Sequence, residues 1–203
     1  MRTLQQPIKV VDDFFESPLL WRHFALKQQY TTDEKATWPG VRSQPLNELN
    51  MNLFSSLASK LLQHVHDKTF FSFLKVNFAS VDGSYNLGWM HNDEPMYNFA
   101  SVIFLNPEPP KGSGLGFYTQ VADANQNYNQ QFFEELKADP KDRAKFIAHK
   151  EEQRSFYKQN MYVENVFNRC VMFPPHMWHS AEKYFGNNID DSRLTITIFG
   201  IAK

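Results

Sequence analysis

Cysteine is almost missing from this sequence: Cys170 stands alone. A single thiol excludes an intrachain disulfide, a cysteine-rich zinc site and an iron–sulfur cluster. Its neighbours Val171, Met172 and Phe173 mark it as a buried strand thiol. Clusters of Lys and Arg are missing too. With 21 Lys+Arg against 22 Asp+Glu the net charge is −1. That gives no basic footprint for a polyanion, so a nucleic-acid partner is not expected. No apolar run approaches the roughly 20 residues that span a bilayer, and no membrane association is expected. The opening Met1-Arg2-Thr3-Leu4-Gln5-Gln6-Pro7 lacks the apolar stretch of a secretion signal, which makes a cytoplasmic setting the expectation. Internal repeats and low-complexity segments are also absent.

What is present is ordinary for a soluble domain. The 203 residues are 42% hydrophobic and 21% charged, enough for one sizeable core over residues 1–203. Aromatics make up 15%, with 19 Phe, so that core is ring-rich. Residues 1–68 read as helical support and 69–203 as a β-rich unit.

A short strand at 8–12 leads to Ser17-Pro18, a helix start with Ser as N-cap and Pro at the first helical position. Leu20, Phe24 and Leu26 would face inward along a helix reaching residue 29. Trp38-Pro39-Gly40-Val41-Arg42 is a turn. Leu49, Leu53, Phe54, Leu57 and Leu61 recur at helical spacing over 46–66. His64 and His66 near its end suit the helix dipole better than a metal.

Beyond residue 70 the period shortens. Strands are expected at 71–80, 99–106, 116–119, 163–167, 169–173 and 193–201. The polar stretch 121–161, with Phe132, Phe133, Leu136, Phe146 and Ile147 at partial helical spacing, reads as a helical insertion. Helices followed by many short strands make an α+β domain on a sandwich or barrel.

The chemistry gathers at Gly88-Trp89-Met90-His91-Asn92-Asp93. On an extended segment, residues two apart share a face, so His91 presents an imidazole beside the Asp93 carboxylate. These are two-thirds of the two-histidine, one-carboxylate set that holds non-haem Fe(II) with open positions. Far downstream come Phe173-Pro174-Pro175-His176-Met177-Trp178-His179 and Ser192-Arg193-Leu194-Thr195. In the last strand Arg193, Thr195 and Thr197 share one face, and Leu194, Ile196 and Ile198 the other. An inward polar face ending in Arg suits a pocket for an anion, because guanidinium holds a carboxylate through two parallel hydrogen bonds.

Together these segments resemble the Fe(II)- and 2-oxoglutarate-dependent dioxygenases, in particular their small prolyl-hydroxylase-like members from phages and bacteria. Phe104-Leu105-Asn106, Gly114-Leu115-Gly116-Phe117-Tyr118 and the N-terminal "WPGVRS" add to the likeness. The resemblance implies a double-stranded β-helix (jelly-roll, cupin-like) core. It implies His91, Asp93 and His179 as iron ligands, with His176 competing for the third place. Arg193 and Thr195 would receive the distal carboxylate of 2-oxoglutarate.

There are departures. Arg193 lies 14 residues after His179, a longer turn than is usual. Phe104 stands where some members carry a tyrosine, and Tyr85 is a candidate to replace it. The implied reaction uses O2, releases succinate and CO2, and hydroxylates an unidentified substrate. Trp89, Met90, Tyr97 and Trp178 either line its pocket or belong to the core. Two rival readings share the barrel: a non-redox cupin-type isomerase or epimerase, and a metal-free jelly-roll binding module. The insertion and the 107–114 loop are where substrate choice is expected.

Overall fold

The computed structural model describes residues 8–32, 38–65, 70–121 and 143–203. The N-terminal part holds β1 (Lys9–Val11), α1 (Pro18–Leu26), β2 (Tyr30–Thr31), β3 (Val41–Ser43), α2 (Leu46–Leu49) and α3 (Met51–Val65). Then come β4 (Phe71–Val81), β5 (Phe99–Phe104) and β6 (Leu115–Gln120). Helix α4 (Arg143–Ser155) precedes β7 (Tyr157–Val163), β8 (Cys170–Phe173), β9 (Trp178–Ala181) and β10 (Arg193–Ala202).

These strands form two antiparallel sheets. The large one runs β1-β8-β5-β10-β4-β3-β2 and the small one β7-β6-β9. Alternation in β10 sorts the interior. Leu194, Ile196 and Ile198 join Val76, Phe78, Ile103 and Met172 on the helix side, under Phe14, Trp21, Leu57 and Leu61. The other face of the large sheet meets the small sheet through Ala100, Phe104, Val171 and Phe173 against Leu115, Phe117 and Val163. The result is an α+β jelly roll with the helices outside one face of the large sheet and the small sheet packed on the other.

Several expected boundaries move. The helix foreseen over 46–66 is two helices, because Asn50 adopts an extended backbone and its Oδ1 caps Leu53 N at 3.0 Å. Helix α1 stops at Leu26, and Ser17 makes no side-chain cap bond. Its inner face is Trp21 and Ala25, with Phe24 and Leu26 packed on the core as expected, while Leu20 is 69% exposed. Trp21 is drawn in by stacking on Phe15, ring centroids 4.2 Å apart. The strand expected at 163–167 lies at Tyr157–Val163, inside the stretch assigned to the insertion. It pairs on one side only, with β6, and its middle is exposed, so its polar residues hid it. Of the rest of that insertion, Arg143–Ser155 is helix α4, and residues 122–142 lie outside the described residues, as do His66 and the side chains of Phe146 and Ile147.

Cys170 is buried with its Sγ 3.2 Å from Ser101 Oγ, and burial pushes the thiol up to about 12. No described helix is long and apolar enough to cross a membrane.

Gly40 fixes the edge of the large sheet. Its φ is +77°, and a Cβ there would lie 2.3 Å from the backbone oxygen of Ser80. Gly40→Ala is therefore expected to push β3 off β4 and to cost roughly 1–3 kcal/mol, measurable as a lower urea midpoint. An unchanged midpoint would show that the edge is not held this closely.

Candidate metal centre

His91 and His179 are brought face to face by the small sheet. His91 N donates to His179 O at 3.1 Å and His179 N to His91 O at 2.9 Å, so the two residues are directly opposed. Opposed residues of an antiparallel pair project to one side, and the imidazole centroids lie 4.2 Å apart. Each ring faces the carbonyl two residues before it: His91 Nδ1 lies 3.2 Å from Trp89 O, and His179 Nδ1 lies 2.8 Å from Met177 O. A carbonyl can only accept, so each Nδ1 carries the proton and each Nε2 keeps a free lone pair.

Asp93 completes the group. Its N–H donates to Pro175 O at 2.9 Å, which turns the carboxylate toward the two rings. Oδ1 is 3.9 Å from His91 Nε2 and Oδ2 is 3.7 Å from His179 Nε2. Both are too long for hydrogen bonds, and Oδ2 is buried with no partner. One ligand atom from each residue lies within 4.8 Å of the others. Facial ligands on bonds of about 2.1 Å stand about 3 Å apart, so the three donors would have to draw closer together around a metal. Burial holds both imidazoles down, to about 4, with His179 adding to the effect at His91, so both are neutral at pH 7. His91 keeps 42% of its side-chain surface open, and Asp93 and the Nδ1 contact with Trp89 O pull against the lowering. Burial pushes Asp93 up to about 6, against the pull of His91 and Arg42.

The centre is walled by rings: Phe173 lies 4.7 Å from the His179 ring, and Phe117 packs edge-on against Phe173 at 5.2 Å. Trp178 and Met90 point the other way and pack with Tyr118 and Tyr157, as alternation along each strand requires. They are core residues of the small sheet's outer side. Tyr97 instead stacks on Phe199, on the pocket face of β10, at 5.5 Å.

Arg193 lies at the start of β10, buried, its guanidinium 5.3 Å from the Phe104 ring and 5.9 Å from the Tyr184 ring. Its Nε donates to Ser113 O at 3.3 Å, and it forms no ion pair with a described residue. A buried cation without a carboxylate is costly, and here it faces the pocket beside buried Thr195. Tyr85 packs against Tyr184 at 6.4 Å, and Tyr184 is the ring that faces Arg193. The long turn before Arg193 is closed by Asp191 Oδ1, which accepts from Asn187 N and Asn188 N at 2.8 and 2.9 Å.

One feature of the site was not read from sequence. Helix α4 grips the segment that carries His91. Lys150 Nζ donates to Tyr85 O and Leu87 O at 2.6 and 2.5 Å. Gln153 exchanges two hydrogen bonds with the Met90 backbone, 3.0 and 2.9 Å. Arg154 reaches Gly88 O and Ser180 Oγ and pairs with Glu182. Spacing of three and four places all three side chains on one helix face. They satisfy backbone groups that the isolated His91 bridge leaves outside a ladder. The spacing was visible, but a polar helix face usually meets solvent.

The jelly roll thus carries two histidines and a carboxylate that converge, the donor set of a facial metal triad. The chain belongs to the family of unknown function DUF6445, which it matches over residues 1–200. No curated protein matches the sequence. Among solved structures, the chain is similar to a prolyl hydroxylase from Trichoplax adhaerens, solved with a hypoxia inducible factor oxygen degradation domain peptide. Identity is 11% and TM-score 0.60, over 97% of this chain and 84% of that one. It is also similar to HygX from Streptomyces hygroscopicus with nickel and 2-oxoglutarate bound, at 12% identity and TM-score 0.54, over 96% and 83%. AviO1 from Streptomyces viridochromogenes Tue57 aligns at 12% identity and TM-score 0.52, over 98% and 90%. At these identities the likeness is one of fold.

Proposed function

We propose that the protein is an Fe(II)- and 2-oxoglutarate-dependent oxygenase that hydroxylates an organic substrate. One observation carries the reading: three lone-pair donors, His91 Nε2, His179 Nε2 and Asp93 Oδ2, converge in a buried place with no hydrogen donor among them. Such a set repels itself until a cation enters. No other described group of three His, Cys, Asp or Glu side chains meets in this way. The set has three members and no glutamate, which favours an open-faced redox site over the four-ligand cupin enzymes.

When bound, iron and 2-oxoglutarate supply the oxidation: O2 is consumed, 2-oxoglutarate yields succinate and CO2, and oxygen enters a substrate C–H bond. The chain's own part is to hold and shield. Arg193 selects a dicarboxylate through its guanidinium, with Thr195, Tyr85 and the neighbouring Tyr184 framing that end of the pocket. Phe104, Phe117 and Phe173 keep water from the metal side of the site.

The test is an anaerobic titration of metal-free protein with Fe(II) and 2-oxoglutarate, following the visible charge-transfer band. Wild type is expected to develop the band. Arg193→Met should need at least about tenfold more 2-oxoglutarate for the same intensity, since a charge-assisted pair is lost. Metal binding with no band would turn the assignment to a non-redox metalloenzyme; no metal binding would turn it to a binding module.

A further inference from the structure

A second arginine reaches the same pocket, and nothing in the proposed cofactor chemistry uses it. Residues Arg42, Ala79, Thr195 and Phe104 stand opposite one another across β3, β4, β10 and β5. Directly opposed residues share a face, so Arg42 projects onto the pocket side with Thr195. Its Nη1 donates to Thr197 Oγ1 at 3.1 Å, another residue of that face. Trp38 covers one flat side of the guanidinium, 4.5 Å from the ring centroid. The Nε is buried without a partner, and Arg42 forms no ion pair with a described residue. The Arg42 charge also works to lower the pKa values of Asp93 and His91.

We propose that Arg42 is the anchor for the prime substrate, and that this substrate is an organic acid whose carboxylate docks on the Nε–Nη2 edge beneath Trp38. The inference rests on the oxygenase reading for what happens next, but the anion site stands on its own geometry. Three features choose the ligand class. Thr197 occupies Nη1, so one in-plane edge with two parallel N–H donors remains, the shape that matches a carboxylate. Stacking on Trp38 fixes the plane of the guanidinium, and the buried Nε on the remaining edge is a donor without a partner. Arg193, near the Tyr184 ring, already offers its own guanidinium for the distal carboxylate of 2-oxoglutarate. The pocket thus holds two cations for two different acids, one cosubstrate and one substrate.

The experiment uses protein loaded with Ni(II) and 2-oxoglutarate. The probes are free and N-acetylated α-amino acids, each run beside its carboxamide, with binding read by ligand-observed NMR. Acids are expected to bind and amides not. Arg42→Met should weaken the acids at least about tenfold while 2-oxoglutarate affinity stays within about twofold. Arg42→Lys keeps the charge and loses the planar edge, so it should fall between the two. Retained 2-oxoglutarate binding by Arg42→Met checks that its loss of acids is not general unfolding, and Thr197→Val, which removes the Nη1 contact together with the Thr197 Oγ1 bond to Asn77 O, should keep acid binding.

Equal binding of acids and amides, no acid bound, or unchanged acid binding in Arg42→Met would overturn the proposal. So would loss of 2-oxoglutarate from Arg42→Met, which would move Arg42 to the cosubstrate site. If wild type takes up neither Ni(II) nor 2-oxoglutarate, the oxygenase reading fails instead. The same panel on metal-free protein then still decides whether the Arg42 edge binds acids.

Discussion

Asp93→Ala is expected to abolish metal-induced stabilisation while leaving the metal-free protein as stable as wild type, to within about 1 kcal/mol. The two halves follow from one geometry. Asp93 Oδ2 is buried without a partner, and neither carboxylate oxygen comes within hydrogen-bond distance of the imidazoles. In the metal-free fold the carboxylate therefore carries a desolvation cost with little return. With metal bound it would be one of three ligands, and its removal should exceed the roughly 10–100-fold loss seen when only an outer partner of a ligand is removed. A ligand present at about 100 times its Kd stabilises by about 2.7 kcal/mol, or roughly 5–10 °C in a chain of this size. Melting curves with and without Fe(II) or Ni(II), for wild type and variant, read both halves together. A variant that melts far below metal-free wild type yet still responds to metal would mean that Asp93 holds the fold and not the ion.

The second large effect is placed away from the metal. Glu182→Leu should destabilise the protein by about 3 kcal/mol, a fall of roughly 6–12 °C. Arg154 and Glu182 are both largely buried, with 19% and 15% of their side chains exposed. Glu182 also accepts from Tyr118, and Arg154 holds Tyr118 Oη at 2.7 Å, Ser180 Oγ at 3.0 Å and Gly88 O at 3.2 Å. Removing the carboxylate strands the guanidinium among groups it cannot leave. Replacing both members, Arg154→Met with Glu182→Leu, should recover part of the loss, and a double-mutant cycle measures the coupling. Gly88 and Ser180 flank the two histidines in sequence. The single variant should therefore also weaken metal binding, by about 10–100-fold. Additive losses in the cycle would show that the two side chains do not act as a pair.

The sequence-derived reading succeeded where one element suffices. His91 and Asp93 lie two residues apart on an extended segment, and the alternation of β10 runs without a break until its last residues. Both are local periodicities, and backbone geometry alone converts them into faces. It failed where a neighbour decides. Asn50 looks like any polar residue on a helix until its side chain caps the next one. The polar strand β7 has no apolar alternation because most of it meets solvent, and only pairing with β6 makes it a strand. Leu20 and Trp21 are both apolar, and the nearby Phe15 ring determines which of them turns inward.

By itself, the order of residues determined the ligand types and the polar inner face of the last strand, because side-chain chemistry and two-residue alternation need no partner. Only the tertiary structure decided that His179, 88 positions beyond His91 in the chain, stands directly opposite it. The same holds for Arg42: its place on the face of Thr195 depends on the register of β3 on β4 and of β4 on β10. Register is a property of pairs of strands, fixed by which faces can be buried together, and it is written in no single segment of the chain.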